Sequence, residues 1–194
     1  MTYTIIAGVN GVGKSSLTGV LKAERNDLGH IINVDEIVAE RGCTPVHAGR
    51  IAVQRIDEYL SKNISFTQET TLSGQKTVNT AKLAKEKGYT VRMFYVGLNS
   101  LDESLERIKK RVEKGGHDIE RGVVEKRYKN RFVALDKILP YCNEAEFYGN
   151  EYGFCRLGSY KNGELFAPKL YQKTKQGVIP YWLTEFVEYS RFLA

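Results

Sequence analysis

The sequence predicts an α/β protein built on a parallel sheet with helices on both of its faces. Short β-favouring runs alternate with helical patterns over the first half of the 194 residues, and such alternation is typical of parallel strands joined by right-handed crossovers. A glycine-rich segment stands where the first β-favouring run, Tyr3 to Ala7, gives way to the first helical pattern. Ligands of open parallel sheets bind at this edge, so we expect the functional site there.

The glycine-rich segment has the pattern G-x-x-x-x-G-K-[ST], which is that of a P-loop. Its backbone N–H groups, with the positive end of the helix behind them, are suited to bind a polyphosphate. Lys14 is expected to reach the β- and γ-phosphates and Ser15 to ligate Mg²⁺. The glycine spacing does not fit the G-x-G-x-x-G pattern of dinucleotide sites. The residues predicted to bind nucleotide are Gly8, Asn10, Gly11, Val12, Gly13, Lys14, Ser15 and Ser16.

A second candidate group, Asp35, follows the short β-rich run Ile31 to Val34, at the carboxyl end of a predicted second strand. Asp35 could act as a general base toward an acceptor hydroxyl, hold Mg²⁺ through water, or only cap the helix that follows. We prefer the catalytic role, because acid–base chemistry requires a carboxylate beside the phosphates. Apolar residues at helical spacing then predict a helix over Pro45 to Ser61.

Glu69 and Thr70 also follow a predicted strand, Ile64 to Gln68. Glu69 could accept hydrogen bonds from hydroxyl or amide groups of a substrate, or it could only begin the helix that runs through Lys87. The next strand, Tyr89 to Val96, is the clearest in the chain. None of the predicted strands carries the apolar run and Asp of a Walker B motif, which disfavours a motor or switch ATPase and favours a small kinase.

Two basic helical patterns flank the pair Gly115-Gly116: Leu101 to Glu113, and a second helix that runs through Leu139. Basic helices joined at a flexible hinge are suited to a mobile lid, here residues 107 to 131, because arginines can stabilise the charge of a phosphoryl group in transfer. The alternative is a pair of solvated charged helices. His117 could touch phosphate or pack structurally. The candidate lid residues are Arg107, Arg111, His117 and Arg127.

The C-terminal part predicts a last sheet strand at Ala145 to Gly149 and a β-hairpin over 153–170, turning at Asn162-Gly163. Pro180 is expected to open a terminal helix that docks on the core. The residues expected to make that contact are Trp182, Leu183, Phe186 and Phe192. We therefore predict a single domain over residues 1–194, with the hairpin and the helix within 151–194.

The composition narrows the class of protein. A formal net charge of +6 suits a protein that handles phosphorylated ligands as well as one that binds nucleic acid, so charge alone does not choose. No run approaches the ~18 apolar residues of a membrane span, and the first strand begins too early for a signal peptide. The three cysteines lack metal-ligand spacing. We expect a cytoplasmic protein with no membrane partner; a nucleic-acid partner is not expected.

Four parts of the sequence together resemble the small zeta-toxin-like ATPases: the P-loop, Asp35, the stretch Phe66 to Gly74, and the stretch Arg107 to Tyr128. The resemblance covers about residues 2 to 150 and implies a P-loop kinase of nucleoside-kinase architecture. Its residue roles are Asp35 as catalytic base, Glu69 and Thr70 in the substrate-side loop, and Arg111 and Arg127 as lid arginines that bind phosphate. The chain departs from the family pattern at Glu120, where Pro is common, and at Gly149-Asn150, where an Asp-Asn pair is common.

The best-characterised zeta toxins phosphorylate the 3′-hydroxyl of UDP-N-acetylglucosamine, and many are neutralised by an antitoxin. The resemblance therefore implies ATP and Mg²⁺ as cofactors, a small hydroxyl-bearing acceptor and an antitoxin partner. The expected function is transfer of the ATP γ-phosphate to a hydroxyl of a small metabolite, with UDP-N-acetylglucosamine as the leading candidate. The alternatives are a nucleoside, antibiotic or polynucleotide kinase, and a nucleotide-responsive binding module without catalysis.

Overall fold

A seven-stranded sheet forms the centre of the molecule in a computed structural model that describes residues 1–151, 153–166 and 181–190. The strands are β1 (Thr2–Ala7), β2 (His30–Ile32), β3 (Phe66–Thr70), β4 (Thr90–Val96), β5 (Glu144–Gly149), β6 (Cys155–Lys161) and β7 (Glu164–Phe166). Their order across the sheet is β2-β3-β1-β4-β5-β6-β7. The pairs from β2 to β5 are parallel, and β6 and β7 are antiparallel to their neighbours.

Helices connect and cover the strands. They are α1 (Lys14–Glu24), α2 (Val34–Arg41), α3 (Pro45–Ser61), α4 (Lys76–Glu86), α5 (Leu101–Glu113), α6 (Arg121–Lys129), α7 (Arg131–Ile138) and α8 (Tyr181–Tyr189), with a 3₁₀ turn at Leu139–Tyr141. This mostly parallel, helix-flanked sheet confirms the predicted fold class. Among the described residues, no helix is both long and apolar enough to cross a bilayer.

Two apolar cores lie on opposite faces of the sheet, because successive residues of a strand point to opposite sides. Ile5 of β1 belongs to the larger core, which includes side chains of α3, α4, α7 and α8. Ile6, the next residue, belongs to the smaller core with Leu17 and Leu21 of α1. The sheet is therefore buried on both faces, as the sequence pattern predicts.

Helices α3 and α5 have the bounds that their apolar spacing predicts, whereas several strand boundaries differ, most of all those of β2 and β3. β2 ends at Ile32, because Asn33 serves as the N-cap of α2: its side chain accepts a hydrogen bond from the backbone of Asp35 at 2.9 Å. β3 begins at Phe66, two residues later than expected, because pairing with β1 aligns Tyr3 with Phe66 and Ala7 with Thr70.

The prediction of one helix running through Leu139 is wrong. The helix breaks at Asn130, which separates α6 from α7. The Asn130 amide donates to the carbonyl of Lys126 at 2.8 Å, and the Arg131 guanidinium donates to the carbonyl of Tyr128 at 3.0 Å. Both side chains thus donate to carbonyls in the last turn of α6, and the backbone N–H of Asn130 also donates to the carbonyl of Lys126 at 3.2 Å.

The C-terminal hairpin joins the main sheet: β6 pairs with β5, and β6 turns into β7 at Asn162-Gly163, both with positive φ. In α8, Trp182 packs on Tyr95 and Phe147 at centroid distances of 5.6 and 6.4 Å. Leu183 and Phe186 are buried as well, so this part of the terminal helix docks on the core as predicted. The predicted strand residues 167–170, Pro180 and Phe192 lie outside the described residues.

Candidate active site

The P-loop is a tight turn between β1 and α1, and its glycines adopt positive φ. Gly8 has φ 148°, and a Cβ there would stand 2.3 Å from the carbonyl oxygen of Val96. Gly13 has φ 98° and is the N-cap of α1, where a Cβ would stand 2.6 Å from the Asn150 amide nitrogen. Only glycine fits these two places, so the loop keeps its amides available to an anion.

Lys14 lies across the inside of this turn, where its ammonium donates hydrogen bonds of 3.0 Å to the carbonyls of Gly8 and Val9. Burial lowers the pKa of Lys14 to about 8; the carboxylates of Glu69 and Asp35 oppose this shift, and the nearby Arg127 and Arg111 add to it. Because the lowered pKa means that the buried ammonium is destabilised, an anionic phosphate bound beside it would stabilise its charged form.

Glu69, near the end of β3, accepts hydrogen bonds from two hydroxyls of α1. Ser15 donates at 2.9 Å and Thr18 at 2.6 Å. The sequence alone suggested a substrate-side role for Glu69 and Thr70, and the structure adds this contact between Glu69 and the P-loop serine. The hydroxyl of Thr70 accepts a hydrogen bond from the backbone N–H of Leu72 at 3.0 Å, and Thr70 lines the cavity beside the P-loop that is described below.

Asp35 stands in the first turn of α2 with its side chain 66% exposed. Because Asn33 caps this helix, the carboxylate of Asp35 is not needed as a cap. Its oxygen lies 3.7 Å from the guanidinium of Arg111 on α5. The candidate base and Arg111, a predicted lid residue, therefore lie close together across the opening between α2 and α5.

The arginines that the sequence predicts to form a lid lie on α5 and α6, near the P-loop. Arg127 donates to the side-chain oxygen of Asn10 at 3.0 Å, and burial lowers the pKa of Arg127. Arg111 donates to the carbonyl of His117 at 2.5 Å. Arg107 donates at 2.6 Å both to Glu103 and to the carbonyl of Asn150. Each guanidinium is thus positioned by a neighbour on the rim of the site.

The P-loop, the two carboxylates and the three arginines border one cavity of about 740 Å³. The predicted site residues that line it are Asn10, Gly11, Gly13, Lys14, Ser15, Ser16, Asp35, Glu69, Thr70, Arg107, Arg111, His117 and Arg127. The other two predicted residues, Gly8 and Val12, are buried within the loop and do not line the cavity. The volume lies within the roughly 300–1,000 Å³ of small-molecule sites.

Several residues outside the list of predicted site residues also shape the site. Asn33 and Gln68 line the cavity, and Ser104 of α5 donates to the carbonyl of Asn10 at 2.7 Å. Asn150 donates to the carbonyl of Val12 at 3.0 Å. Asn33, Gln68 and Asn150 could have been found in the sequence as polar residues at or near the end of a predicted strand. Ser104 carries no such signal.

Three comparisons relate the chain to known proteins. A family model described as zeta toxin matches residues 42–146, just over half of the chain. The chain is also 34% identical over 126 residues to a protein of Haemophilus influenzae described as uncharacterized; the alignment covers 62% of this chain and 88% of that protein.

Among solved structures, the chain is similar to AvrRxo1-ORF1:AvrRxo1-ORF2 with sulphate ions and to the same pair with ATP. In each case the TM-score is 0.63 and the identity 19%, over 86% of this chain and 60% of the other. The PezAT toxin–antitoxin system of Streptococcus pneumoniae is similar as well, with TM-score 0.59 and 19% identity over 79% of this chain and 69% of the other.

At 19% identity, the structural similarity establishes only the fold. The chain spans 60% of the length of the AvrRxo1-ORF1:AvrRxo1-ORF2 chain that it matches. The fold shared with these proteins is a mostly parallel sheet flanked by helices. The zeta toxin family model, in contrast, matches the amino-acid sequence itself, over more than half of its residues. The chain therefore belongs to the zeta toxin family.

Proposed function

We propose that the protein is a Mg²⁺- and ATP-dependent phosphotransferase that moves the γ-phosphate of ATP to a hydroxyl of a small metabolite. Family membership and fold support a P-loop kinase or phosphotransferase. The single observation that carries the finer proposal is that Asp35 opens onto the same cavity as Lys14 and Ser15. A protein that only bound nucleotide would need the phosphate cradle but not a carboxylate beside it.

In this proposal the P-loop binds the phosphates of ATP. The backbone N–H groups of the turn and of the start of α1 would donate hydrogen bonds to the anionic oxygens, and Lys14 would exchange its two carbonyl partners for phosphate. The solved neighbour with ATP lends support to this choice of nucleotide.

The oxygen donors beside the loop fit Mg²⁺, which prefers carboxylate and hydroxyl ligands. Ser15 and Asp35 would hold the ion, and Glu69 contacts the Ser15 hydroxyl directly. When bound, Mg²⁺ neutralises charge on the β- and γ-phosphates.

Asp35 would act on the acceptor by taking the proton of its hydroxyl as the oxygen forms its bond to the γ-phosphorus. The bond between that phosphorus and the bridging oxygen of ATP breaks, and ADP leaves. Arg111 and Arg127 would stabilise the charge on the phosphoryl oxygens during transfer. Since Arg111 lies 3.7 Å from Asp35, the two groups can act on the same reacting centre.

For the acceptor we propose a small, hydroxyl-bearing anionic metabolite, with UDP-N-acetylglucosamine first among candidates because of the family resemblance. The likeness to the PezAT toxin–antitoxin system motivates the further proposal that an antitoxin protein binds this chain. We place the activity in the cytoplasm.

The test is incubation of the protein with γ-labelled ATP and Mg²⁺ and a panel of nucleotide sugars, nucleosides, aminoglycosides and oligonucleotides. Label transfer is followed by mass spectrometry. The expected result is phosphorylation of a small hydroxyl compound by the wild-type protein and none by Lys14→Ala, with Lys22→Ala, an exposed change on α1, as active control. Labelled oligonucleotides alone would indicate a polynucleotide kinase, and ATP binding without transfer to any compound would overturn the proposal.

A further inference from the structure

Gln68 is a polar residue in the middle of the sheet that the proposed chemistry does not use. It lies on β3 between Ile5 of β1 and Ile32 of β2, and its side chain lines the large cavity. Glu69, the next residue along the strand, faces α1 and the P-loop serine. Gln68 therefore faces the opposite side of the sheet, on which α2 and α3 pack.

Tyr3 holds the Gln68 side chain in one orientation. Its hydroxyl donates to the Gln68 side-chain oxygen at 2.5 Å. Tyr3 is 0% exposed, and its ring stacks on Phe66 with centroids 4.6 Å apart. Burial raises the pKa of Tyr3 well above its usual value, so the hydroxyl keeps its proton and remains a donor.

A flip of the Gln68 amide, which would exchange its oxygen and nitrogen, would break this hydrogen bond. If the Gln68 nitrogen faced Tyr3, the buried hydroxyl proton would lose its acceptor, and leaving a buried donor unsatisfied is unfavourable. The oxygen therefore stays on Tyr3, and the nitrogen with its two N–H groups faces away from it. Within the described part of the chain, that nitrogen makes no hydrogen bond and is not buried.

We propose that Gln68 is a specificity-determining residue that donates a hydrogen bond to an uncharged oxygen of the phosphoryl acceptor, and that Tyr3 is its positioning residue. The inference rests on the proposed phosphotransferase function and extends it to the second substrate. Gln68 shares the cavity with Asp35 and Pro45, and it faces the side of the sheet opposite to Glu69, which contacts the P-loop serine.

The chemistry of the Gln68 amide determines which group of the acceptor it can bind. A neutral pair of N–H donors recognises a carbonyl, amide or ring ether oxygen, and its partner would lie on the same molecule as the hydroxyl that Asp35 deprotonates. An acceptor without such an oxygen would leave the fixed donor unpaired in the filled site, which strongly disfavours binding.

Two variants separate the donor from its anchor. Gln68→Glu keeps an oxygen for Tyr3 but replaces the N–H groups by a carboxylate oxygen, and Tyr3→Phe keeps the amide but removes the anchoring hydroxyl. Gln54→Glu makes the same chemical change on the exposed face of α3 and serves as the matched control. Thermal melts of all three show which variants are folded.

The measurement uses the best acceptor in the labelled-ATP panel, with kcat and KM for acceptor and for ATP determined separately. We expect Gln68→Glu to lower kcat/KM for the acceptor by about 10- to 100-fold and Tyr3→Phe by about 2- to 10-fold. ATP binding, measured by calorimetry without acceptor, should stay within about twofold. Gln54→Glu should match the wild type.

Acceptor kinetics of folded Gln68→Glu that equal those of Gln54→Glu would overturn the inference while leaving the phosphotransferase proposal intact. So would an equal loss for ATP and acceptor, which would indicate a general disturbance of the site. Failure of the wild type to phosphorylate any compound would instead overturn the proposed function, and this inference with it.

Discussion

The hydroxyl of Ser15 donates a hydrogen bond of 2.9 Å to the carboxylate of Glu69, which lies 54 positions further along the chain. The same carboxylate accepts the Thr18 hydroxyl at 2.6 Å. This contact places an acidic group where the nucleotide-bound metal is expected. No Walker B Asp is evident from the sequence, and Glu69 lies on β3, the strand that pairs with β1.

We therefore predict that Glu69→Gln weakens the use of Mg²⁺. An amide holds the Ser15 hydroxyl less firmly than a carboxylate and interacts less with a divalent cation. The Mg²⁺ concentration for half-maximal transfer should rise about 10- to 100-fold. Initial rates over a Mg²⁺ series check this, with the exposed Glu86→Gln on α4 as control. Identical Mg²⁺ curves for the two variants would remove Glu69 from the metal site.

Asp35→Asn should separate binding from chemistry. Asparagine keeps the size of the side chain but cannot take a proton, so turnover should fall by about 10²- to 10⁴-fold while nucleotide affinity changes far less. The melting temperature should hold, because Asn33 is the helix cap.

Single-turnover transfer at saturating ATP and acceptor measures this effect, with the neighbouring exposed Glu36→Gln as control. If Asp35 acts mainly through the metal, excess Mg²⁺ should restore part of the rate. Full activity in folded Asp35→Asn would remove this residue from the mechanism.

Nucleotide affinity should depend on pH through Lys14. Burial lowers its pKa to about 8 in the free protein, although Glu69 and Asp35 raise it in part. Phosphate binding restores a higher pKa, so above about pH 8 the bound form holds a proton that the free form has lost. Affinity should therefore fall as pH rises, by up to about tenfold per pH unit.

Calorimetry in two buffers of different ionisation enthalpy checks this, with the protein titrated by an ATP analogue and Mg²⁺. Uptake should approach one proton per nucleotide at high pH and vanish near neutrality, and Lys22→Ala should behave in the same way. A proton uptake that is equal on both sides of pH 8 would contradict the assignment.

Gly116→Ala should damage catalysis by displacing Arg111. A Cβ at Gly116 would stand 2.6 Å from Arg111 Cγ and 2.9 Å from its carbonyl oxygen, so the guanidinium must leave its place beside His117 and Asp35. Because a misplacement of 1 Å can cost about 10²-fold in rate, we expect transfer to fall by about 10- to 100-fold.

Gly122→Ala is the matched control on α6. Its Cβ would meet only Glu120, at an ordinary 3.6 Å. This variant should keep full activity, and its melting temperature should change little, because Gly122 lies in the first turn of α6 and not in its middle. Thermal melts and transfer rates of the pair test the role of Arg111; equal activity in the two variants would argue against it.

The P-loop end of the site could be predicted because its information is local. Eight contiguous residues determine the turn, and the positive φ of Gly8 and Gly13 is written into the choice of glycine. The bounds of α3 and α5 follow from apolar spacing for the same reason. The break at Asn130 could not be read in this way, since it depends on the particular carbonyls that the side chains of Asn130 and Arg131 reach.

The α/β class, the cradle for phosphate and the presence of acidic and basic groups around it all follow from residue order. The partners of those groups do not. Gln68 and Glu69 are consecutive residues of one strand and must face opposite sides. Only the pairing of β3 with β1 sends Glu69 to Ser15 and Gln68 to Tyr3. The register between strands distant in sequence is set by burial of both faces of the sheet, and a short sequence pattern does not contain it.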